Sequence, residues 1–137
     1  MQRYLSGFEG AAFALLRIVL AFLYWSHGPA WLFGSFTGRA PADLTSKFGV
    51  AGVIEIVCGT LIAVGLLTSW AAFIACGEMA VAYFIAHLPR GSWMPIVNGS
   101  EITVALCFGF LYIATRGGGA FSLDALLASG RRAGRRR

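Results

Sequence analysis

Residues 8–33 read FEGAAFALLRIVLAFLYWSHGPAWLF, an almost unbroken apolar run that holds Arg17 and His27. A helix of about 20 apolar residues crosses the hydrocarbon core of a bilayer, so this stretch predicts a membrane-spanning helix. Arg17 within the run and the lack of a small-residue cleavage motif after it argue against a cleaved signal peptide. We therefore interpret residues 8–33 as an uncleaved first span.

Three further apolar stretches follow in this chain of 137 residues, which is 58% hydrophobic and has a mean hydropathy of +0.73. They occupy residues 49–67, 70–88 and 99–115. Almost no chain separates the second stretch from the third, which predicts a tight antiparallel hairpin. The period-two alternation that a membrane barrel needs is absent. The sequence therefore predicts an all-α protein, a four-transmembrane-helix bundle.

Basic residues are concentrated at the carboxyl end, where residues 131–137 contain five of the eleven lysines and arginines. By the positive-inside rule this bias places both termini in the cytoplasm. We therefore expect a multi-pass protein of a bacterial inner membrane, with a membrane domain at residues 1–128 and a polybasic tail at residues 129–137. Beside a membrane helix, we expect the tail to contact anionic lipid and not nucleic acid.

The three cysteines, Cys58, Cys76 and Cys107, lie in three different apolar stretches and form no CxxC motif. This spacing supports neither a disulfide framework nor a thiol-exchange enzyme, and it is not that of a metal site. We therefore interpret the cysteines as small, polarisable residues that fill the helix contacts.

Six ionisable residues lie within the predicted spans or at their ends, where a charge costs at least about 2.5–3.5 kcal/mol. Such residues usually face the interior of a bundle or a wet cavity. Counting 1.5 Å per residue along antiparallel helices sorts them into two layers. The inner layer holds Arg17 and Glu78, and the outer layer holds His27, Glu55, His87 and Glu101.

The inner layer predicts an ion pair between Arg17 and Glu78, because removing one partner of a buried pair leaves the other charge uncompensated. Two interpretations of the pair stay open. It is a structural clamp, or Arg17 binds an anionic substrate or a quinone carbonyl while Glu78 holds the guanidinium in place.

The outer layer combines imidazoles with carboxylates, which can relay protons or hold the head group of a ligand. A divalent metal is an alternative, although no HxxE or ExxH spacing brings two ligands onto one helical face. Simple solvation of His87 and Glu101 at the membrane surface is another. Glu78 and His87 are nine residues apart, on opposite sides of an ideal helix, so a shared cavity requires a kinked helix.

Small and aromatic residues give further expectations about packing. Gly52 and Gly59 flank Glu55 in the second stretch, and small residues allow membrane helices to approach closely. Tyr24 and several tryptophans lie near predicted span ends, which is typical of side chains at the membrane–water interface. After the fourth stretch, Ser122 is expected to cap a short amphipathic turn at residues 123–127.

In its features and their order, the chain resembles the DoxX family of small four-helix membrane proteins, over nearly its whole length. The markers are Leu16-Arg17, Ser26-His27-Gly28, Gly52-x-x-Glu55, Gly65-Leu66-Leu67-Thr68, Met79, His87, Asn98-Gly99-x-Glu101 and Ser122-Leu123-Asp124. Their order and spacing are more specific than any one motif. Ser69 stands where the family often has Arg, a departure that touches none of the buried ionisable residues.

The resemblance implies a link to redox chemistry. Founding members of the family belong to a thiosulfate:quinone oxidoreductase, and others look like partners of superoxide dismutase and a sulfurtransferase. Our leading hypothesis is a catalytic or accessory subunit of a quinone-linked oxidoreductase or redox-stress complex. Glu55 and His27 are the predicted catalytic pair, which handles protons. The predicted substrate-binding residues are Arg17, Glu78, His87, Asn98 and Glu101.

No haem, flavin or iron–sulfur motif occurs in the sequence, so catalysis would use free quinone as the cofactor or borrow a soluble redox protein as a partner. Two alternatives stay open. The first is a non-enzymatic scaffold that recruits soluble redox proteins through the arginine tail. The second is a proton-coupled transporter of small molecules, with Glu55 as the proton carrier. An oligomer is compatible with each of these functions.

Overall fold

The computed structural model describes Tyr4 and residues 6–134, and this part of the chain contains helices and no strand. The predicted all-α class is therefore confirmed. A 3-10 turn at Ser6–Phe8 precedes the first helix, and a π-helical turn at Tyr83–His87 and a 3-10 turn at Leu88–Arg90 extend the third. The α-helices are α1 (Glu9–Phe33), α2 (Lys47–Val64), α3 (Thr68–Ala82), α4 (Pro95–Asn98), α5 (Glu101–Arg116) and α6 (Leu123–Gly134).

Three helical segments in the described part of the chain are long and apolar enough to cross a membrane: Ser6–Phe33, Lys47–Val64 and Thr68–Arg90. They correspond to the first three predicted spans. The predicted fourth span is α5, which has 16 residues and is about 24 Å long at 1.5 Å per residue. The fourth crossing and the orientation of the termini stay predictions.

The four longer helices before α6 pack as a closed ring in which α1 contacts α2, α2 contacts α3, α3 contacts α5 and α5 contacts α1. Residues 65–67 connect α2 to α3, so the predicted tight hairpin is confirmed. Large apolar side chains point away from the ring on several helices: Leu15, Phe22, Phe73 and Phe108 are each 62–65% exposed. An apolar exterior of this kind fits a lipid environment.

Glycines set the distance between α1 and α2. A Cβ atom added to Gly52 would lie 2.9 Å from Leu32 Cγ, and one added to Gly59 would lie 2.8 Å from Trp25 Cβ. Across the contact, a Cβ on Gly28 would lie 2.7 Å from the Gly52 carbonyl oxygen. The close helix approach that the glycines of α2 predict is therefore confirmed.

The carboxyl-terminal region is more helical than the sequence indicates. Ser122 caps α6 by accepting a hydrogen bond from the Ala125 N–H at 3.2 Å, but the helix extends through Gly134 and does not end at residue 127. It therefore crosses the predicted boundary between the membrane domain and the polybasic tail. Arg135, Arg136 and Arg137 lie outside the described residues.

Candidate functional site

Arg17 is buried at the hairpin end of the bundle, the end that carries residues 65–67. It is 1% exposed and donates hydrogen bonds to three carbonyl oxygens. Nη1 bonds to Ile62 and Ala63, the latter at 3.0 Å, and Nη2 bonds to Phe121 at 2.7 Å. The last carbonyls of a helix lack helical partners and favour a cation. We call Arg17 with these three carbonyl groups the Arg17 cluster.

The predicted ion pair between Arg17 and Glu78 is wrong. In the part of the chain that the structure describes, the ion pair found joins Arg116 and Glu9, at 2.6 Å. Arg17 instead satisfies backbone carbonyls at the end of α2, because it meets that helix terminus before it can reach a carboxylate on α3. Glu78 belongs to the opposite end of the bundle and lines a cavity there.

Asp124 completes the hairpin end. Its Oδ1 accepts a hydrogen bond from the Leu67 N–H at 2.9 Å, and its Oδ2 accepts from the N–H and the hydroxyl of Thr68 at 3.0 and 2.8 Å. A carboxylate at this position caps the positive amino terminus of α3. Partial burial works against ionisation, but the hydrogen bonds from Thr68 and Leu67 and the charge of Arg17 outweigh it and lower the pKa of Asp124.

The Arg17 cluster and the Asp124 cap together tie α1, the α2–α3 hairpin and the segment before α6 to one another. Phe121 and Asp124 belong to that last segment, and the Asp124 N–H also donates to the Gly65 carbonyl at 2.9 Å. Arg17 does not line the cavity. Of the two interpretations that the sequence left open for Arg17, the geometry therefore supports the structural clamp.

A cavity of about 1080 Å³ lies at the other end of the bundle, between α1, α2, α3 with its π-helical turn, and the start of α5. Its wall is mostly apolar. Three cationic residues, Arg39, Lys47 and Arg90, also contribute to its lining. The other ionisable or hydroxyl side chains in the wall are those of His27, Thr45, Glu55, Glu78, His87 and Thr103.

The two carboxylates in the cavity wall are not fully satisfied. Glu55 is 3% exposed, and Tyr24 beside it is fully buried. The Tyr24 hydroxyl interacts electrostatically with Glu55 and Glu78. Its oxygen and the Oε2 atoms of both carboxylates are buried without a hydrogen bond of standard geometry in the described part of the chain, although the Tyr24 hydroxyl and the Glu78 carboxylate are close enough to interact. Buried polar atoms are normally paired, so the two carboxylates in the cavity wall have capacity to bond a ligand.

Glu78 and His87 line the same cavity although an ideal helix would place them on opposite sides. The reason is the π-helical turn at Tyr83–His87, which holds more residues per turn than an α-helix and so rotates His87 relative to α3. The His87 ring then lies between two groups. Its Nε2 is 3.2 Å from the Thr103 hydroxyl, and its Nδ1 is 3.4 Å from the Asn98 carbonyl oxygen.

His27 and Glu55, the predicted proton-handling pair, lie in the wall of this one cavity. His27 is exposed toward it, whereas Glu55 is buried at its base. In the described residues no group of three His, Cys, Asp or Glu side chains is close enough to hold a metal ion. The pair therefore offers one titratable group near the open side and one deeper in the bundle.

Besides Arg17, two of the predicted substrate-binding residues, Asn98 and Glu101, lie outside the cavity wall. Asn98 is 2% exposed, and its amide is occupied by the backbone: Nδ2 donates to the Ser92 carbonyl at 2.9 Å and Oδ1 accepts from the Ser100 N–H at 3.0 Å. Asn98 therefore shapes the loop before α5. Glu101 is exposed at the start of α5. The predicted outer layer is thus corrected in one member: Glu78 joins it. Glu101 lies at the same end of the bundle, as predicted, but does not line the cavity.

Tyr24 is the site residue that the sequence analysis missed. It was interpreted as an interfacial aromatic, but its ring packs edge-on against Phe110 in the core, with 5.0 Å between the ring centroids. One signal could have identified it. Tyr24 follows Arg17 by seven residues, two helical turns, and therefore shares the buried face of α1.

Comparisons with known proteins identify the family of the chain. The family model described as DoxX matches residues 12–88, the part of the chain that contains Arg17, Tyr24, Glu55, Glu78 and His87. An uncharacterized protein of Haemophilus influenzae is 43% identical over 116 residues, which are 81% of this chain and 87% of that protein. No solved structure matches the chain.

Proposed function

The chain belongs to the DoxX family, and from this premise we propose that its cavity binds the head group of a quinone and exchanges protons with it. The protein would then be a membrane subunit or accessory of a quinone-linked oxidoreductase or redox-stress complex of the bacterial inner membrane. The observation that carries the proposal is the pair of carboxylates, Glu55 and Glu78, with unpartnered oxygens in a mostly apolar wall.

The residues present fit a quinone in shape and in chemistry. The cavity is comparable in volume to small-molecule sites, and such sites combine apolar walls with a few polar groups. Side chains such as Ile54, Met79 and Leu106 would contact an apolar ring. A protonated carboxyl group of Glu55 or Glu78 can donate a hydrogen bond to a carbonyl oxygen.

Each polar residue then has a stated task. Glu55 would hold the proton that is exchanged, because it is the more deeply buried carboxylate. Glu78 would orient the head group and Tyr24, outside the cavity wall, would hold the Glu78 carboxylate in position. His27 would pass protons between Glu55 and the open side of the cavity. A bound quinone would supply the capacity to accept two electrons.

We propose that the electrons come from a soluble redox partner, since the sequence carries no bound redox group of its own. Leu126 and Leu127 on α6 are 65% and 54% exposed, at the end of the bundle opposite the cavity. In our proposal these leucines and the basic tail hold α6 at an anionic lipid surface. An oligomer is compatible with this arrangement.

The test is the affinity for decylubiquinone in detergent micelles, measured by tryptophan quenching because Trp31 lines the cavity. Glu55→Gln should weaken binding by about two- to tenfold, since a hydrogen bond between neutral groups contributes about 0.5–1.5 kcal/mol. Glu101→Gln is the matched control, because Glu101 is an exposed carboxylate outside the cavity wall. Its affinity should equal that of the unchanged chain. Equal affinity for all three proteins, or no binding by any, would refute the proposal.

A further inference from the structure

Two cysteines from different helices meet where α3 packs against α5. Cys76 Sγ lies 3.7 Å from Cys107 Sγ, and the Cys107 thiol also donates to the Cys76 carbonyl oxygen at 3.5 Å. Both thiols are free and half-buried. Neither belongs to a CxxC motif, so the pairing arises only from the packing of the two helices.

We propose that Cys76 and Cys107 form a redox-active dithiol, which closes to a disulfide across the α3–α5 contact. A disulfide holds its sulfur atoms about 2.05 Å apart, so each sulfur has to move by less than about 1 Å from its present position. Side-chain rotation supplies a movement of this size without a shift of either helix. The two cysteines therefore fill the α3–α5 contact when reduced and can form a disulfide there when oxidised.

The pair lies directly behind the cavity wall. Gly77 and Leu106, which are neighbours of Cys76 and Cys107 in the chain, both line the cavity. A two-electron oxidant bound in the cavity would therefore contact residues that are bonded directly to both cysteines in the chain. The identity of this oxidant, a quinone, rests on the proposed function.

The reaction balances as a two-electron exchange. The two S–H bonds of Cys76 and Cys107 break and one S–S bond forms between them. Two electrons and two protons pass to the carbonyl oxygens of the quinone, which leaves as the hydroquinone. A reductant such as a small dithiol reverses the change.

Cys58 provides a matched control on the same chain. It lies on α2, is 5% exposed and has no thiol contact in the described part of the chain. It should therefore stay reduced under conditions that close the pair. A disulfide forms only where a second thiol is within reach, and Cys58 has none among the described residues.

The test counts free thiols in the full-length protein in micelles. The reduced chain is treated with diamide or with decylubiquinone, denatured, labelled with a maleimide and weighed by intact-mass spectrometry. The unchanged chain has three cysteines and should carry three labels before oxidation, one after it and three again after dithiothreitol. Cys58→Ser should fall from two labels to none. Cys76→Ser and Cys107→Ser should keep both of theirs, with no cross-linked dimer on a gel.

The two oxidants separate the dithiol from the proposed function. Diamide needs no binding site, so three labels after diamide would overturn the dithiol whatever the cavity binds. Closure with diamide and not with decylubiquinone would overturn the quinone as the oxidant and count against the proposed function, while the dithiol itself would stand. Closure with both supports the whole inference.

Discussion

Arg17 and Glu55 are both ionisable residues buried among apolar helices, 1% and 3% exposed, but their surroundings differ. Arg17 directs both terminal nitrogens of its guanidinium at carbonyl oxygens, so that only its Nε has no partner in the described residues. Glu55 has a buried oxygen without a partner, and so do its neighbours Glu78 and Tyr24. One end of the bundle therefore uses its charge for hydrogen bonds within the chain, while the other leaves hydrogen-bonding capacity unused.

This difference separates a structural charge from a functional one. A buried charge whose partners belong to the same chain stabilises the fold, since its removal leaves those partners unpaired. A buried charge without partners opposes folding, so its presence points to a task in the folded protein. The degree of burial does not distinguish a structural charge from a functional one, but the hydrogen-bond partners of the charged group do.

The largest expected effect on stability is that of Arg17→Leu. It should lower the free energy of unfolding by about 3 kcal/mol or more, because each buried carbonyl left without a donor costs about 1–3 kcal/mol. Unfolding by SDS in mixed micelles measures this. Arg39→Leu is the control, since Arg39 is exposed at the cavity end. Equal losses for the two variants would contradict the structural role of the Arg17 cluster.

Gly28→Ala should have the next largest effect, a loss of about 1–3 kcal/mol from overpacking between α1 and α2. Its new Cβ would lie 2.5 Å from Ile56 Cγ1 and 2.7 Å from the Gly52 carbonyl oxygen. Gly77→Ala, on α3, meets nothing within 4 Å and should stabilise by about 0.5–1 kcal/mol. The same unfolding assay compares the two, and a stabilising Gly28→Ala would show that the helices are not in close contact there.

Asp124→Asn should cost about 1 kcal/mol at neutral pH, because the charged cap of α3 is lost. The pKa of Asp124 is lowered in the folded state. Its contribution to stability is therefore present above the unfolded value of about 3.9 and is lost as the pH falls through the lower folded value. Unfolding at pH 7 and at decreasing pH should show the difference from the Asn variant shrinking below about pH 4. A constant difference would contradict the assignment.

The smallest expected change in stability is that of Glu55→Gln, at the cavity end. A neutral amide of similar size removes a poorly paired buried carboxylate, so the free energy of unfolding should stay the same or rise. The same variant should lose affinity for decylubiquinone. A loss of stability as large as that of Arg17→Leu would mean that Glu55 is a structural residue and would remove the contrast between the two ends.

The positions of the spans were predictable because helix formation in lipid depends on local composition. The first span was expected at residues 8–33 and α1 occupies Glu9–Phe33. The second was expected to begin at residue 49, and α2 begins at Lys47, where Ser46 accepts a hydrogen bond from the Gly49 N–H at 3.1 Å. A cap of this kind depends on one side-chain rotamer, which composition does not specify.

The membership of the candidate site was only partly predictable. His27, Glu55 and His87 were placed correctly in one layer, because axial depth follows from the residue count along a helix. Glu78 was assigned to the wrong layer. The rotation of each side chain about its helix axis was harder to predict than its depth. The π-helical turn after α3 changes the helical phase, and the composition of residues 83–87 gives no sign of this turn.

By itself, the sequence determined the helical class, the three long apolar helices and the presence of charges that apolar surroundings had to accommodate. These follow from composition and from spacing along the chain. Only the tertiary structure decided the partners: carbonyl oxygens for Arg17, Thr68 for Asp124, Cys107 for Cys76. The physical reason is the separation of these partners along the sequence. Residues 31 to 104 positions apart meet only when the depth and rotation of whole helices are fixed together.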